Sequence, residues 1–442
     1  MSESANSRNG LRRQMTLLDA TMINIGSIIG SGIFMVPASV ALYLQSPTLV
    51  ITMWIVGGIV SLFGAISIGE LGAMMPDAGG QYVYLSRTYG PVWGFLYGWA
   101  CFAVINTASI AAIAIVFATY LGYFFPLDAM AIKLIACASV VLLTAINCFG
   151  VKTGTTLQNG VTVIKIAALA LLAILGFVLG KGSVNAFSPI LPSAPWSSMV
   201  GPAGMALVAV LFSYDGWIES TFVGSEIKDP GRNIPRSIIY STLVVTAVYV
   251  LLNYSFIHVL TLSGVANSEL VASDVAVKLL GPAGALLIAA TVVISTFGAN
   301  NGIIFTCPRI YYAMAKEGLF FSWMAHINPN YRTPIRALVA QATIVIALIM
   351  SGTFNQLATY VVFGGWAFYG LSCAAVIVLR IREPQARRPY LAWGYPWIQL
   401  LFVAFSLFLV VNTIIESPQD ALVGLVIIGL GLPLYAYWKR SA

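Results

Sequence analysis

Two short polar stretches interrupt apolar segments of this chain. Residues 26–32 read Gly-Ser-Ile-Ile-Gly-Ser-Gly, and residues 212–219 read Phe-Ser-Tyr-Asp-Gly-Trp-Ile-Glu. Glycine leaves helical geometry without a Cβ penalty, and a serine hydroxyl can bond a freed backbone group, so both stretches predict a broken helix. A break at membrane depth persists only beside a cavity, a ligand or buried protein. The two breaks are therefore the candidate binding elements.

The first break predicts a carboxylate site. A half-helix that begins near Gly32 presents unpaired N–H groups and the positive end of its dipole, and Ser27 and Ser31 add hydroxyls. The alternative is close helix packing through small residues, which Gly26 and Gly30 also permit. Because a second break occurs in the other half of the chain, binding is favoured over packing.

The second break predicts a cation site. A half-helix that ends near Phe212 leaves free carbonyls, which suit an α-ammonium group, so one zwitterion would satisfy both breaks. Phe212 and Trp217 either cover a ligand or pack between helices. Asp215 and Glu219 are intramembrane carboxylates, which are functional candidates by default. For Asp215 three roles stay open: meeting a substrate cation, taking up a proton, or capping the second half-helix.

Lys165 is the third unusual feature. It lies roughly ten residues into a span that starts near Thr156, which is about 15 Å deep and half of a ~30 Å core. A lysine at this depth either carries a proton, pairs with a buried acid, or stays charged and donates to the carbonyls freed at the first break. In the last case its ammonium takes the structural place that a sodium ion has in some transporters with broken helices.

Composition predicts a membrane protein. Of 442 residues, 59% are hydrophobic and 8% are charged, and the mean hydropathy is +0.90, whereas soluble domains carry about 25% charged residues. A membrane span needs roughly 20 mostly apolar residues, and the pattern predicts about twelve of them. They are 16–44, 48–75, 87–120, 129–148, 156–180, 199–227, 235–262, 280–314, 333–351, 356–380, 395–415 and 420–438.

The predicted fold is an all-α integral membrane protein in which the first and sixth spans are broken. Each break opens a five-span unit, which indicates an inverted repeat and a secondary transporter that works by alternating access. One transporter domain accounts for residues 1–442: a cytoplasmic N-terminus at 1–15, core and gating helices at 16–262 and 263–380, and the last two helices and C-terminus at 381–442. A short helix on the outer face is expected within residues 263–279.

Charge predicts the orientation. Lys133, Lys181 and Lys278 fall on one side, Lys165 lies within a span, and the remaining 18 of the 22 Lys and Arg residues, Arg309 among them, fall on the other side. The positive-inside rule then places both termini in the cytoplasm, with the chain in the cell membrane among lipids. These cations are dispersed over short loops, so the net charge of +7 does not indicate nucleic-acid binding.

The sequence lacks the residues that other classes of function would need. The five cysteines and two histidines have no metal-ligand spacing, so we expect no metal, no cofactor and no disulfide. An enzyme would need a nucleophile with a base or a metal cluster. A channel would need a ring of pore-lining charges or carbonyls. The sequence contains neither pattern, and the paired breaks favour a carrier.

Several sequence blocks resemble the amino acid-polyamine-organocation superfamily across nearly the whole chain. The first break together with residues 33–34, 69–71, 75–82 and 89–91 carries this likeness. The second break with Glu226, residues 229–236 and residues 295–302 is similar to the L-type amino acid transporter branch. The resemblance implies a LeuT-like fold of two inverted five-helix repeats, and sodium-independent exchange of L-amino acids.

The resemblance also implies roles for single residues. The amides and hydroxyl around Ser31 and Gly32 would hold the substrate carboxylate, and main-chain carbonyls near Ile28, Phe212 and Asp215 would meet the α-amino group. Phe212 matches the aromatic gate, Lys165 matches the lysine of the fifth span, and Ser295 matches its partner on the eighth. The predicted substrate-binding residues are Ser27, Ile28, Gly30, Ser31, Gly32, Phe212, Ser213 and Asp215, with coupling or structural roles for Lys165 and Ser295.

One departure concerns partners. Animal members carry a cysteine between the third and fourth spans for a disulfide to a heavy chain, whereas residues 123–128 contain none. We therefore expect a prokaryotic-type member without a disulfide-linked partner. The predicted function is sodium-independent exchange of small or mid-sized neutral L-amino acids. The alternative is a proton-coupled or cationic amino acid carrier that uses Asp215 and Lys165.

Overall fold

The structure, a computed structural model, describes residues 11–180, 196–351 and 354–441. Lys181, which contributes to the predicted orientation, lies outside these ranges. The described chain is helical, with short irregular connections. The helices are α1 Leu17–Ile28, α2 Gly32–Leu44, α3 Pro47–Met74, α4 Gln81–Tyr89, α5 Pro91–Ala100, α6 Asn106–Leu121, α7 Ala129–Cys148, α8 Val151–Leu179, α9 Trp196–Tyr214, α10 Glu219–Phe222, α11 Pro230–Ala266, α12 Val271–Leu280, α13 Pro282–Thr306, α14 Pro308–Lys316, α15 Ile335–Ser351, α16 Phe354–Arg382, α17 Trp397–Glu416, α18 Pro418–Gly429 and α19 Gly431–Ser441.

The helices confirm an all-α, multi-pass membrane protein. In the described part of the chain, nine helical segments are long and apolar enough to cross a membrane, and α1 with α2 makes a tenth, bent span. Two shorter apolar helices, Ser198–Tyr214 within α9 and Ile335–Ser351, occupy the sixth and ninth predicted positions. The prediction of about twelve spans therefore matches the described helices when these two are counted.

Several boundaries differ from the sequence prediction. The third span, predicted at 87–120, begins at Pro91, because Gly90 with φ 101° separates it from the unpredicted helix α4. The second break is narrower than predicted, since α9 continues past Phe212 to Tyr214 and residues 215–218 form turns. The short helix expected within 263–279 is present as α12.

The first broken span packs directly on the second. Helices α1 and α2 meet at 45°, and α2 begins at Gly32. A Cβ at Gly32 would lie 2.6 Å from Ser213 Oγ and 2.7 Å from Ser213 Cα. Glycine therefore permits α2 to pack against the backbone of α9, which brings the two breaks face to face.

A buried ion pair lies near the end of the second broken span. Arg309, which the sequence prediction counts among the dispersed loop cations, is fully buried. Its Nε lies 2.8 Å from Glu226 Oε1, and both side chains are 0% exposed. The backbone of Met15 pairs with Ile227 in the same region. These contacts connect the N-terminal segment, the end of the second broken span and the start of α14.

Candidate functional site

A cavity lies where the two breaks face each other. Its volume is about 30 Å³, which is room for roughly two water molecules. An amino acid would therefore enter only after the walls move outward. The lining residues come from both breaks, α6 and α13: Ser27, Ile28, Gly30, Ser31, Gly32, Asn106, Ser109, Ile113, Phe212, Asp215, Gly216, Glu219 and Ile303.

Lys165 holds the first break from the side of α8. It is the middle residue of that helix and is fully buried. Its Nζ donates to the carbonyls of Gly26 at 2.8 Å, Ile29 at 2.7 Å and Ser295 at 2.9 Å. Of the three options for Lys165, donation to freed carbonyls is the one present, and within the described residues no acid pairs with it. This ammonium joins the first break to α8 and α13.

The hydrogen bonds around Lys165 explain its placement. The amide of Gly30 donates to the Ile28 carbonyl at 2.8 Å, so the Gly26 carbonyl loses the donor four residues on that a continuous helix would supply. Lys165 replaces that donor. Ser295 Oγ donates to the Ile29 carbonyl at 3.0 Å. The contact that the resemblance implies between Lys165 and the eighth span is thus made through the Ser295 carbonyl.

Three buried polar atoms of the lining remain available to a ligand. Ser27 Oγ, Ser31 Oγ and Asn106 Nδ2 have no hydrogen-bond partner within the described residues. The first amides of α2 also lack acceptors inside their helix. Together these groups could bind a carboxylate at the first break.

Asn106 is a lining residue that the sequence prediction misses. It follows a π-helical turn, Cys101–Ile105, and such turns are frequent at functional sites. The signal in the sequence was a polar cluster, Asn106, Thr107 and Ser109, inside an otherwise apolar span. No glycine-rich break accompanies this cluster, so the pattern that predicts a broken helix is absent there.

Tyr249 of α11 connects the two breaks and was also missed. Its hydroxyl lies 2.9 Å from the Ile28 carbonyl and 3.0 Å from the Ser213 carbonyl. The single proton of this hydroxyl is shared between the two carbonyls, and the Gly30 amide also donates to the Ile28 carbonyl. The Phe212 carbonyl accepts from the Asp215 amide at 3.2 Å.

The aromatic and acidic residues of the second break take different positions. The Tyr369 hydroxyl of α16 donates to Asp215 Oδ1 at 2.6 Å. Helix α10 starts after Ile218, and no side chain caps it, so Asp215 does not cap the second half-helix. Trp217 is buried against Tyr369, with ring centroids 5.3 Å apart, which is the packing role. Phe212 lines the cavity and is partly exposed.

Comparisons with known proteins find amino acid transporters. The family model described as amino acid permease matches residues 15–431. The chain is 32% identical to the serine/threonine exchanger SteT of Bacillus subtilis, over 98% of each chain. It is 32% identical to the b(0,+)-type amino acid transporter 1 of Homo sapiens, over 92% of this chain and 84% of the relative. It is 34% identical to the large neutral amino acids transporter small subunit 2 of Mus musculus, over 98% of this chain and 82% of the relative.

Proposed function

The chain belongs to the amino acid permease family, and from this premise we propose that it is a sodium-independent exchanger of small or mid-sized neutral L-amino acids. Its similarity to a serine/threonine exchanger over nearly the full length of both chains supports exchange. The substrates in the name of that relative, serine and threonine, support a small substrate.

The observation that carries the proposal is the position of Lys165. A sodium-coupled carrier with broken helices needs a cation at the unwound carbonyls. Here a fixed ammonium already donates to the Gly26, Ile29 and Ser295 carbonyls. A sodium ion at this point would face a like charge. The proposed cycle therefore needs no sodium, and the carrier changes sides only with an amino acid bound.

The proposed pose of the substrate uses both breaks. Its carboxylate lies at the start of α2, near Gly30 and Gly32, where Ser27 and Ser31 supply hydroxyls. Its ammonium lies at the end of α9, near the carbonyl of Phe212. The remaining members of the predicted set are Ile28, Ser213 and Asp215. The Phe212 ring gates the cavity, and Lys165 with Ser295 transmits movement between the first break, α8 and α13.

The setting of the protein is part of the proposal. We place it in the cell membrane with both termini in the cytoplasm, because the Lys and Arg residues cluster on one predicted side. All of residues 1–442 are assigned to one transporter domain, divided as predicted at residues 15, 262 and 380. No cysteine lies in residues 123–128, so we propose that no heavy chain is attached there by a disulfide.

A second candidate function is transport of cationic amino acids or coupling to protons. Two carboxylates, Asp215 and Glu219, line the cavity. Within the described residues neither forms an ion pair with Lys, Arg or His. A cationic side chain or a proton would supply the missing positive charge. Lys165 is less suited to carrying the proton, because its Nζ faces three carbonyl acceptors and only the protonated amine has three donors for them.

The deciding experiment is uptake of radiolabelled L-serine into proteoliposomes. Vesicles preloaded with unlabelled serine are compared with empty vesicles, each with and without imposed sodium and pH gradients. We expect uptake to depend on preloading and to change little with either gradient. Strong accumulation into empty vesicles driven by a pH gradient would contradict exchange and support the second candidate. A panel of competing amino acids then defines the substrate range.

A further inference from the structure

Glu219 is a buried carboxyl group that the proposed exchange cycle does not use. It is the first residue of α10, it is 5% exposed, and it lines the cavity. The Thr306 hydroxyl at the end of α13 contacts its Oε2, and Cys307 Sγ lies 3.9 Å from the same oxygen. These groups are neutral, so they orient the carboxyl group without supplying a positive charge.

The surroundings of Glu219 contain acids and neutral groups. The titratable groups that face it are Asp215 on its own segment, Cys101 after α5, Cys307 and Tyr311 beside the junction of α13 and α14, and Tyr369 on α16. Within the described residues no Lys, Arg or His forms an ion pair with Glu219. The ammonium of Lys165 donates to three carbonyls elsewhere.

A pair of carboxylates in one small cavity has a simple electrostatic consequence. Burial and a neighbouring like charge both disfavour the ionised form of a carboxyl group. At least one of Asp215 and Glu219 therefore binds a positive charge from outside the chain, which is either a proton or a cationic group of a ligand. Asp215 accepts from the Tyr369 hydroxyl at 2.6 Å and from the Gly216 amide. The Thr306 hydroxyl beside Glu219 has one proton and also lies 2.9 Å from the Gly302 carbonyl, so Glu219 has fewer donors than Asp215. Glu219 is therefore the carboxyl group whose positively charged partner can change.

We propose that Glu219 is a cation subsite of the cavity, which holds a proton while a neutral amino acid is bound and the charged side chain of a cationic amino acid in its place. This inference rests on the proposed function, because it needs an amino acid in the cavity. It adds a specificity-determining residue and a reason for one cavity to accept two substrate classes. Proton and substrate cation compete for the same carboxylate.

Competition sets the sign of the pH dependence. The cationic side chain binds only after Glu219 has released its proton, whereas a neutral substrate leaves the proton in place. Preference for the cationic substrate therefore rises with pH. The ratio of the two inhibition constants should change by up to about tenfold per pH unit on the acidic side of the titration.

The test measures L-lysine against L-methionine, a neutral amino acid of similar length, as inhibitors of serine uptake into serine-preloaded proteoliposomes. The ratio of their inhibition constants is read within each variant between about pH 5.5 and about pH 8, so that a general loss of turnover cancels. In the wild type, the inhibition constant of lysine relative to that of methionine should fall by at least about tenfold as the pH rises. In Glu219→Gln the ratio should be flat, and lysine should be weakened by about tenfold.

The controls distinguish the effect of Glu219 from the effect of removing any carboxylate. Glu269→Gln removes an exposed carboxylate between α11 and α12 and should keep the wild-type profile. If Glu219→Gln does not fold, Glu219→Asp withdraws the carboxylate by one methylene, and its lysine constant should change by at least about threefold.

Three results would overturn the subsite. They are a flat ratio in the wild type, a wild-type profile in Glu219→Gln, and an unchanged lysine constant in Glu219→Asp. A wild type that does not exchange serine would instead contradict the proposed function.

Discussion

Removal of the Lys165 ammonium should uncouple the first break from its neighbours. Lys165 donates to three buried carbonyls at 2.7 to 2.9 Å. In Lys165→Ala the Ile29 carbonyl keeps the Ser295 hydroxyl at 3.0 Å, while Gly26 loses the donor that replaces its helical partner. A hydrogen bond to a charged group contributes about 1.5–3 kcal/mol. Loss of the Gly26 bond alone should cost about 3 kcal/mol. The equilibrium constant for closing the site should then fall by about a hundredfold.

The assay compares initial rates of serine exchange for wild type, Lys165→Ala and Lys133→Ala. Lys133 also donates to a backbone carbonyl, that of Met350 at 2.7 Å, but it lies away from the cavity. Lys133→Ala should exchange serine at close to the wild-type rate. Lys165→Ala should lose about a hundredfold in rate while it still elutes as a single folded species in detergent. A folded Lys165→Ala protein within about twofold of the wild-type rate would refute the coupling role.

Four further predictions concern other parts of the protein. Gly32→Ala should lower both the melting temperature and serine uptake, because its Cβ would lie 2.6 Å from the second break. In the control Gly30→Ala the new Cβ meets its nearest atom at 3.4 Å, so this variant should fold normally. Equal behaviour of the two variants would contradict the packing argument. Tyr249→Phe removes a neutral hydroxyl that contacts two carbonyls, so exchange should slow by about tenfold, as measured by initial rates. Asp215→Asn should weaken competition by lysine and arginine no more than competition by neutral amino acids, because Asp215 has the Tyr369 hydroxyl and the Gly216 amide as partners; a loss selective for lysine and arginine would place the substrate cation at Asp215 instead. Glu226→Gln leaves a buried guanidinium without its partner, which should cost about 3–5 kcal/mol and be visible as early unfolding on heating.

The sequence alone predicted most of the architecture, because lipid imposes strong local rules. A span must be long and apolar, and a broken helix must carry residues that tolerate the break. These rules located α7 at residues 129–148 and the start of α2 at Gly32. They also identified Lys165 from its depth alone. They did not predict the four-residue helix α10, since a helix this short has no apolar periodicity in the sequence.

The tertiary structure decided which polar groups meet. Ser295 entered the prediction only through family resemblance, because a lone serine in an apolar helix has many packing roles. Tyr249 and Asn106 reach the cavity from α11 and α6, and no local pattern marks that direction. Likewise, the sequence predicts that Arg309 is a loop cation, yet Arg309 is buried with its Nε 2.8 Å from Glu226 Oε1. Local sequence specifies which backbone groups a break sets free, whereas the packing of distant helices determines which side chains satisfy them.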